Sequence, residues 1–156
     1  FNTVFQMGER EFLQRLKFSG GDGYIIPDLP IEEAVNLHSM SKTFDLDPII
    51  LMTQTTSEER LKKLGRSCSG MVYAVARKGV TGSKTIMDDS IESLINRCRK
   101  YTDVPLGVGF GISNSADLDF LRGKADVAII GTAALKAWED SKQAGYRQFF
   151  ESLQLS

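Results

Sequence analysis

The chain has 156 residues, 42% of them apolar and 25% charged, which is enough for one domain with a real core. Its 19 basic and 20 acidic side chains nearly cancel, which argues against a surface built for nucleic acid or anionic lipid. Cys68, Cys98 and the single histidine His38 show no zinc or redox spacing, so reduced cytosolic thiols are expected, with neither a secretory signal nor a membrane span.

In chain order, Gly8 precedes a helical stretch, Glu9–Phe18, with Phe12, Leu13, Leu16 and Phe18 offered to one face. Ser19-Gly20-Gly21-Asp22-Gly23 ends it, and Tyr24-Ile25-Ile26 reads as a short buried strand closed by Pro27-Asp28-Leu29-Pro30. A helix from Pro30 to about Thr43 follows, carrying His38 as a solvated or capping residue. Asp47-Pro48 introduces the strand Ile49–Met52, and Ser57 caps a short helix from Glu58 to Gly65. Met71–Ala76 is the next strand, leading into the loop Arg77-Lys78-Gly79-Val80-Thr81-Gly82. The helix Ser90–Lys100 places Ile91, Leu94, Ile95 and Cys98 at helical spacing. The last strands run through Val104–Ser113 and Val127–Ile130, each followed by a helix, from about Ser115 to Arg122 and from Ala133 onward.

Strands alternate with helices at a regular interval and read as continuous apolar runs, as buried parallel strands do. The two final strands, Gly-Val-Gly-Phe-Gly-Ile-Ser at Gly107–Ser113 and Ala-Ile-Ile-Gly-Thr-Ala at Ala128–Ala133, end in glycine and a hydroxyl residue before a helix. That arrangement suits phosphate, because glycine lets an anion approach the backbone and the next helix turns its free N–H groups toward it. The same glycines also read as ordinary turn residues. About five strands and the tail of an earlier one at Phe1 are too few to close an eight-stranded barrel. Strands such as Tyr24–Ile26 and Val127–Ile130 at bare edges would be an aggregation hazard. The missing strands are expected from an N-terminal segment of the same polypeptide, with domain swapping or a homodimer as the alternative.

The segments Gly23-Tyr-Ile-Ile-Pro-Asp-Leu-Pro, Arg77-Lys-Gly-Val-Thr-Gly, Gly109-Phe-Gly-Ile-Ser and Ile130-Gly-Thr-Ala resemble the tryptophan synthase α-subunit family in order and spacing. The resemblance spans the chain but only about the last three-fifths of that family's (βα)8 TIM barrel. It implies an α/β fold, here an incomplete barrel with its fourth to eighth strands. It also implies a lyase that cleaves indole-3-glycerol phosphate to indole and glyceraldehyde 3-phosphate in tryptophan biosynthesis. The indole would pass to a β subunit carrying pyridoxal phosphate, in an α2β2 assembly, while this chain itself would need no cofactor and no metal.

Residue by residue, the resemblance assigns phosphate contacts to Gly82, Gly111, Gly131 and Thr132, the last in place of a more usual serine. It assigns a mobile loop to Arg77, Gly79 and Thr81, and a substrate pocket to Asn2, Ile25, Leu51, Tyr73 and Phe110, with Asn2 at the end of the third strand. On the residues alone, Tyr73, Ile25 and Leu51 read as plain core and Arg77-Lys78 as a solvated loop pair. The family's catalytic glutamate and aspartate would lie upstream of Phe1, so this chain alone is expected to be inactive. Asp28, between two prolines, reads as a supporting turn residue. A free-standing indole-glycerol-phosphate lyase and a non-catalytic phosphate-binding half barrel remain as alternatives.

Overall fold

A computed structural model describes residues 1–76, 89–109 and 111–153. Its strands are β1 (Gly23–Tyr24), β2 (Asp47–Pro48), β3 (Ile50–Thr53), β4 (Val72–Val75), β5 (Leu106–Gly109) and β6 (Val127–Ile129). The helices are α1 (Asn2–Met7), α2 (Glu9–Phe18), α3 (Val35–Thr43), α4 (Glu58–Ser67), α5 (Asp89–Arg99), α6 (Ser115–Leu121) and α7 (Thr132–Ser152).

Every strand pair is parallel, and β3, β4, β5 and β6 lie side by side in the order in which the chain makes them. A doubly wound sheet reverses its strand order at a switch point. This one never does, so the crossovers all put their helices on the same face, as in a sector of a barrel wall. β2 and β3 are consecutive pieces of one strand that passes from one neighbour to the next. Asp47 and Ile49 donate to Asp22 and Tyr24 on the β1 side, and Ile50 donates to Met71 on the β4 side. β1 stops early because Ile26 precedes Pro27, which has no N–H to continue a ladder. The result is five strand positions in series.

The helix-covered face carries Ile50 and Met52 of β3, Val72 and Ala74 of β4, and Leu106 and Val108 of β5. They pack against Leu61 and Leu64 of α4, Ile91, Leu94, Ile95 and Cys98 of α5, and Leu121 of α6. A second cluster, Leu13, Tyr24, Leu37 and Leu46, joins α2, β1 and α3, with Phe1, Phe12 and Leu16 against it. Both cysteines are free, and burial pushes the Cys98 thiol up to about 11. Among the described residues no helix is long and apolar enough to cross a membrane.

Local chemistry explains the helix ends. Ser57 accepts from the Arg60 N–H at the start of α4, and Asn114 with Asp117 forms a reciprocal capping box on α6. Acidic Glu9 and Glu11 open α2 while Arg15 and Lys17 close it, matching the helix dipole. Three expectations need correcting. Phe1–Asn2 is not the tail of a strand. Phe5 and Gly8 donate to the Phe1 and Val4 carbonyls, so local helical bonds satisfy this backbone, which has no strand beside it among the described residues. The third helix begins at Val35 rather than Pro30, because Glu33 and Ala34 both fold back onto the Pro30 carbonyl in a separate turn. Phe18 is 95% exposed and does not join the face made by Leu13.

The start of the β5–β6 ladder is reinforced by a side chain. Asp126 Oδ2 accepts from the Leu106 N–H at 2.7 Å and from Arg99, while its own N–H donates to the Leu106 carbonyl at 3.0 Å. The Leu106 bond, and then Arg99, hold the Asp126 carboxyl below its ordinary value of 3.8. A depressed folded pKa contributes stability above the unfolded value, and the contribution disappears as pH falls through the folded one. Asp126→Asn is therefore expected to cost about 1 kcal/mol at neutral pH, a small value because the carboxylate is half exposed. The difference from the unaltered chain should be full at pH 7 and narrow once pH falls below 3.8, as urea unfolding at pH 7 and pH 3 will read.

Candidate functional site

Opposite the helix-covered face, the sheet presents a concave surface. Its register is set by the ladders: Leu51 lies across from Tyr73, Tyr73 from Gly107 and Gly107 from Val127. One layer toward the strand ends lie Thr53, Val75, Gly109 and Ile129. Leu51, Thr53, Tyr73 and Val75 are half-buried, whereas their neighbours Met52 and Ala74, facing the helices, are fully buried. The alternation is the period-two signature of a strand with two different faces. It puts Leu51 and Tyr73 on the half-buried face opposite the helices.

Tyr73 is held across its neighbour strand. A Cβ on Gly109 would lie 2.6 Å from the Tyr73 ring carbon that bears the hydroxyl, so only glycine lets the ring lie there. Burial pushes the Tyr73 phenol above its usual value, and it stays a neutral hydroxyl at pH 7. Beyond these strands the chain leaves the sheet at Gly111 and Gly131, each two residues past the paired positions Gly109 and Ile129. Gly111 has φ +85°, a left-handed conformation that a side chain would strain. Gly131 is the N-cap of α7, with φ −112°, and supplies no side-chain cap to that helix. A Cβ there would meet nothing within 4 Å. Thr132 follows as the first exposed residue of the helix, and no acidic residue occupies its first turn. Uncapped N–H groups beside two adjacent glycine strand ends suit an anion.

The other expected residues divide. Ile25 is 42% exposed and follows β1 directly, at the C-terminal end of that strand. Asn2 is not at a strand end: it opens α1 and is exposed. Asp28 is itself exposed in its turn, and His38 is a half-buried residue of α3 that burial, and then Lys42, hold below the usual histidine range. Gly82, Phe110 and the loop residues Arg77, Gly79 and Thr81 lie outside the described residues.

A polar cluster behind the rim escaped the sequence reading. Arg97 of α5 donates to Glu58 at 2.5 Å, to the Gln54 carbonyl at 3.1 Å and to the Thr56 carbonyl. Tyr101 donates to the other Glu58 oxygen at 2.7 Å. Arg97, and then Tyr101, hold the Glu58 carboxyl low, and Glu58 in turn pushes the Tyr101 phenol up. The guanidinium thus satisfies the carbonyls of the turn leaving β3. The available signal was an arginine on the polar flank of α5, too common to single out.

A profile of the family described as Tryptophan synthase alpha chain matches residues 1–155. The tryptophan synthase alpha chain of Desulfotalea psychrophila is 38% identical over 98% of this chain and 60% of its own length. A Mycobacterium tuberculosis tryptophan synthase structure superposes with a TM-score of 0.88 at 31% identity, over 97% of this chain and 58% of that one. The Pyrococcus furiosus tryptophan synthase α2β2 complex, described for its mutual activation, gives a TM-score of 0.87 at 27% identity, over 98% and 63% respectively. The chain therefore spans about 60% of the length of the curated relative it matches.

Proposed function

Because the chain belongs to the tryptophan synthase alpha chain family, we propose that it forms the substrate-binding half of an indole-3-glycerol phosphate lyase in tryptophan biosynthesis. The observation that carries the reading is the placement of Gly111 and Gly131–Thr132 at adjacent strand ends above the Leu51–Tyr73–Gly107 row. An anionic phosphate fits the uncapped start of α7, and a flat apolar ring fits the row below it. Tyr73 and Leu51 would pack on the indole, and the Thr132 hydroxyl would add a donor to the phosphate.

Retro-aldol cleavage needs a base for the glycerol hydroxyl and an acid for the indole carbon. None of the strand residues on the concave face, Leu51, Thr53, Tyr73, Val75, Gly107, Gly109, Val127 and Ile129, is a carboxylate, imidazole or amine. The chain's own part is to bind and orient. By the family resemblance, the two carboxylates would come from outside this sequence, and the indole would pass to a β subunit that carries the pyridoxal phosphate. Similarity to a protein solved as an α2β2 complex supports that partner. Two unpaired cysteines fit a cytoplasmic setting. No cofactor or metal is assigned to this chain.

Gly131→Leu tests the phosphate site. The open space around the Cβ has room for the leucine side chain, which fills the approach to the helix start. Titration with glycerol 3-phosphate is expected to lose at least tenfold in affinity with no change in the urea midpoint. Undiminished affinity would remove the assignment.

A further inference from the structure

At the strand-end rim, Gln54 does something that neither its type nor its position announces. It is the first residue after β3, where the β3–β4 ladder runs out at the Thr53–Val75 pair. Its side-chain Nε2 donates to the Ala76 carbonyl at 3.1 Å, and so carries the pairing one residue past the last strand bond. Ala76 is 2% exposed and donates its own N–H to the Gly109 carbonyl at 3.1 Å. A relay of bonds therefore runs from Gln54 through Ala76 to Gly109, across the ends of β3, β4 and β5. Gly109 is the residue on which the Tyr73 ring rests, and it lies two positions before Gly111.

Gln54 is gripped from behind as well. The same amide nitrogen donates to Ser90 Oγ at 3.0 Å, and its main-chain carbonyl accepts from Arg97 at 3.1 Å. Ser90 and Arg97 are seven residues apart, two turns along one face of α5. Two points on one helix fix the residue whose side chain fixes the rim. A buried carbonyl such as that of Ala76 has a strong demand for a donor, and the amide is the donor provided.

We propose that Gln54 is a positioning residue for the ligand site at the strand ends: its side-chain amide locks the ends of β3, β4 and β5 into the register that sets Tyr73 over Gly109. It does not touch the ligand. The proposal rests on the reading of those strand ends as a phosphate-ester site.

The test uses the full chain in three forms: unaltered, Gln54→Glu and Gln54→Leu. Gln54→Glu keeps the length of the side chain and removes both amide donors, and Gln54→Leu keeps an apolar stem. Each is titrated with glycerol 3-phosphate and unfolded in urea in parallel. Both variants are expected to lower the urea midpoint, because the buried Ala76 carbonyl loses its donor, and also to bind about tenfold more weakly in the molecules that remain folded. A purely structural role predicts a lowered midpoint with full affinity in the folded molecules, and that result would overturn the proposal. Unchanged affinity in both variants would overturn it too, leaving the phosphate site intact. Failure of the unaltered chain to bind glycerol 3-phosphate would instead remove the phosphate reading, and this proposal with it.

Discussion

Leu106→Ala is expected to destabilise the protein by about 3 kcal/mol, within the range for a large apolar side chain truncated in a packed core. Leu106 is fully buried at the start of β5, in the cluster that joins the sheet to α4, α5 and α6. Its N–H and carbonyl are both tied to Asp126, so the backbone has little freedom to collapse into the void. Leu13→Ala removes a side chain of the same size that is equally buried, but from the other cluster, among α2, β1 and α3. The two clusters meet at the point where the strand passes from β2 to β3. They are further joined by Ile31 against the larger core and by an Arg60–Glu32 ion pair, a bond between exposed groups worth little. Residues 1–48 should therefore open as a unit of their own. Hydrogen exchange followed residue by residue is the measurement. Leu13→Ala should raise exchange in α2 and α3 while β4 and β5 stay protected, and Leu106→Ala should raise it in β4, β5 and α5. Equal loss of protection everywhere in both variants would mean a single cooperative core.

What was legible in the sequence was whatever depends on periodicity. Ile91, Leu94, Ile95 and Cys98 repeat at helical spacing and all four are buried on α5. The apolar runs at Met71–Ala76 and Val127–Ile130 became strands because continuous apolar runs between turn signals suit a parallel sheet. The glycine strand ends were legible too, since a glycine before a helix start has a specific backbone use. Features that depend on pairing were not. Ile49 reads as the first residue of a strand, yet it is the point where the ladder changes partner, because β1 stops at a proline on the neighbouring segment. The resemblance puts Asn2 at a strand end, but a strand requires a neighbour to bond and Asn2 lies in α1. Gln54 carries no composition signal at all. Its importance comes from the register that brings Ala76 within reach, and register is a property of two segments, not one.

The chain as a separate polypeptide of these 156 residues should release no indole from indole-3-glycerol phosphate at a rate useful to an enzyme, while still binding glycerol 3-phosphate. Binding and cleavage make different demands. The phosphate asks for backbone N–H groups and space, which on the proposed reading Gly131, Thr132 and the start of α7 would provide. The ring asks for an apolar wall, which on the proposed reading Leu51 and Tyr73 would provide. Cleavage asks in addition for proton transfer at two positions, and a correctly placed acid or base is typically worth about 10²–10⁴-fold each. Tyr73, the one protic side chain in the deeper row, has its pKa pushed upward and is a poor base at pH 7. Asp28 is exposed in its turn between Pro27 and Pro30. The remaining polar cluster, Glu58 with Arg97 and Tyr101, sits behind the turn that leaves β3, and its carboxylate is spent on the arginine. Positioning alone leaves a small residual rate over water when catalytic groups are absent. An indole-release assay beside the titration separates the two demands. Ligand binding without release is the expected pair of results. Efficient release by this polypeptide, lost in Asp28→Asn or Glu58→Gln, would place the proton-transfer chemistry on this side of the barrel and overturn the division of labour between the two halves.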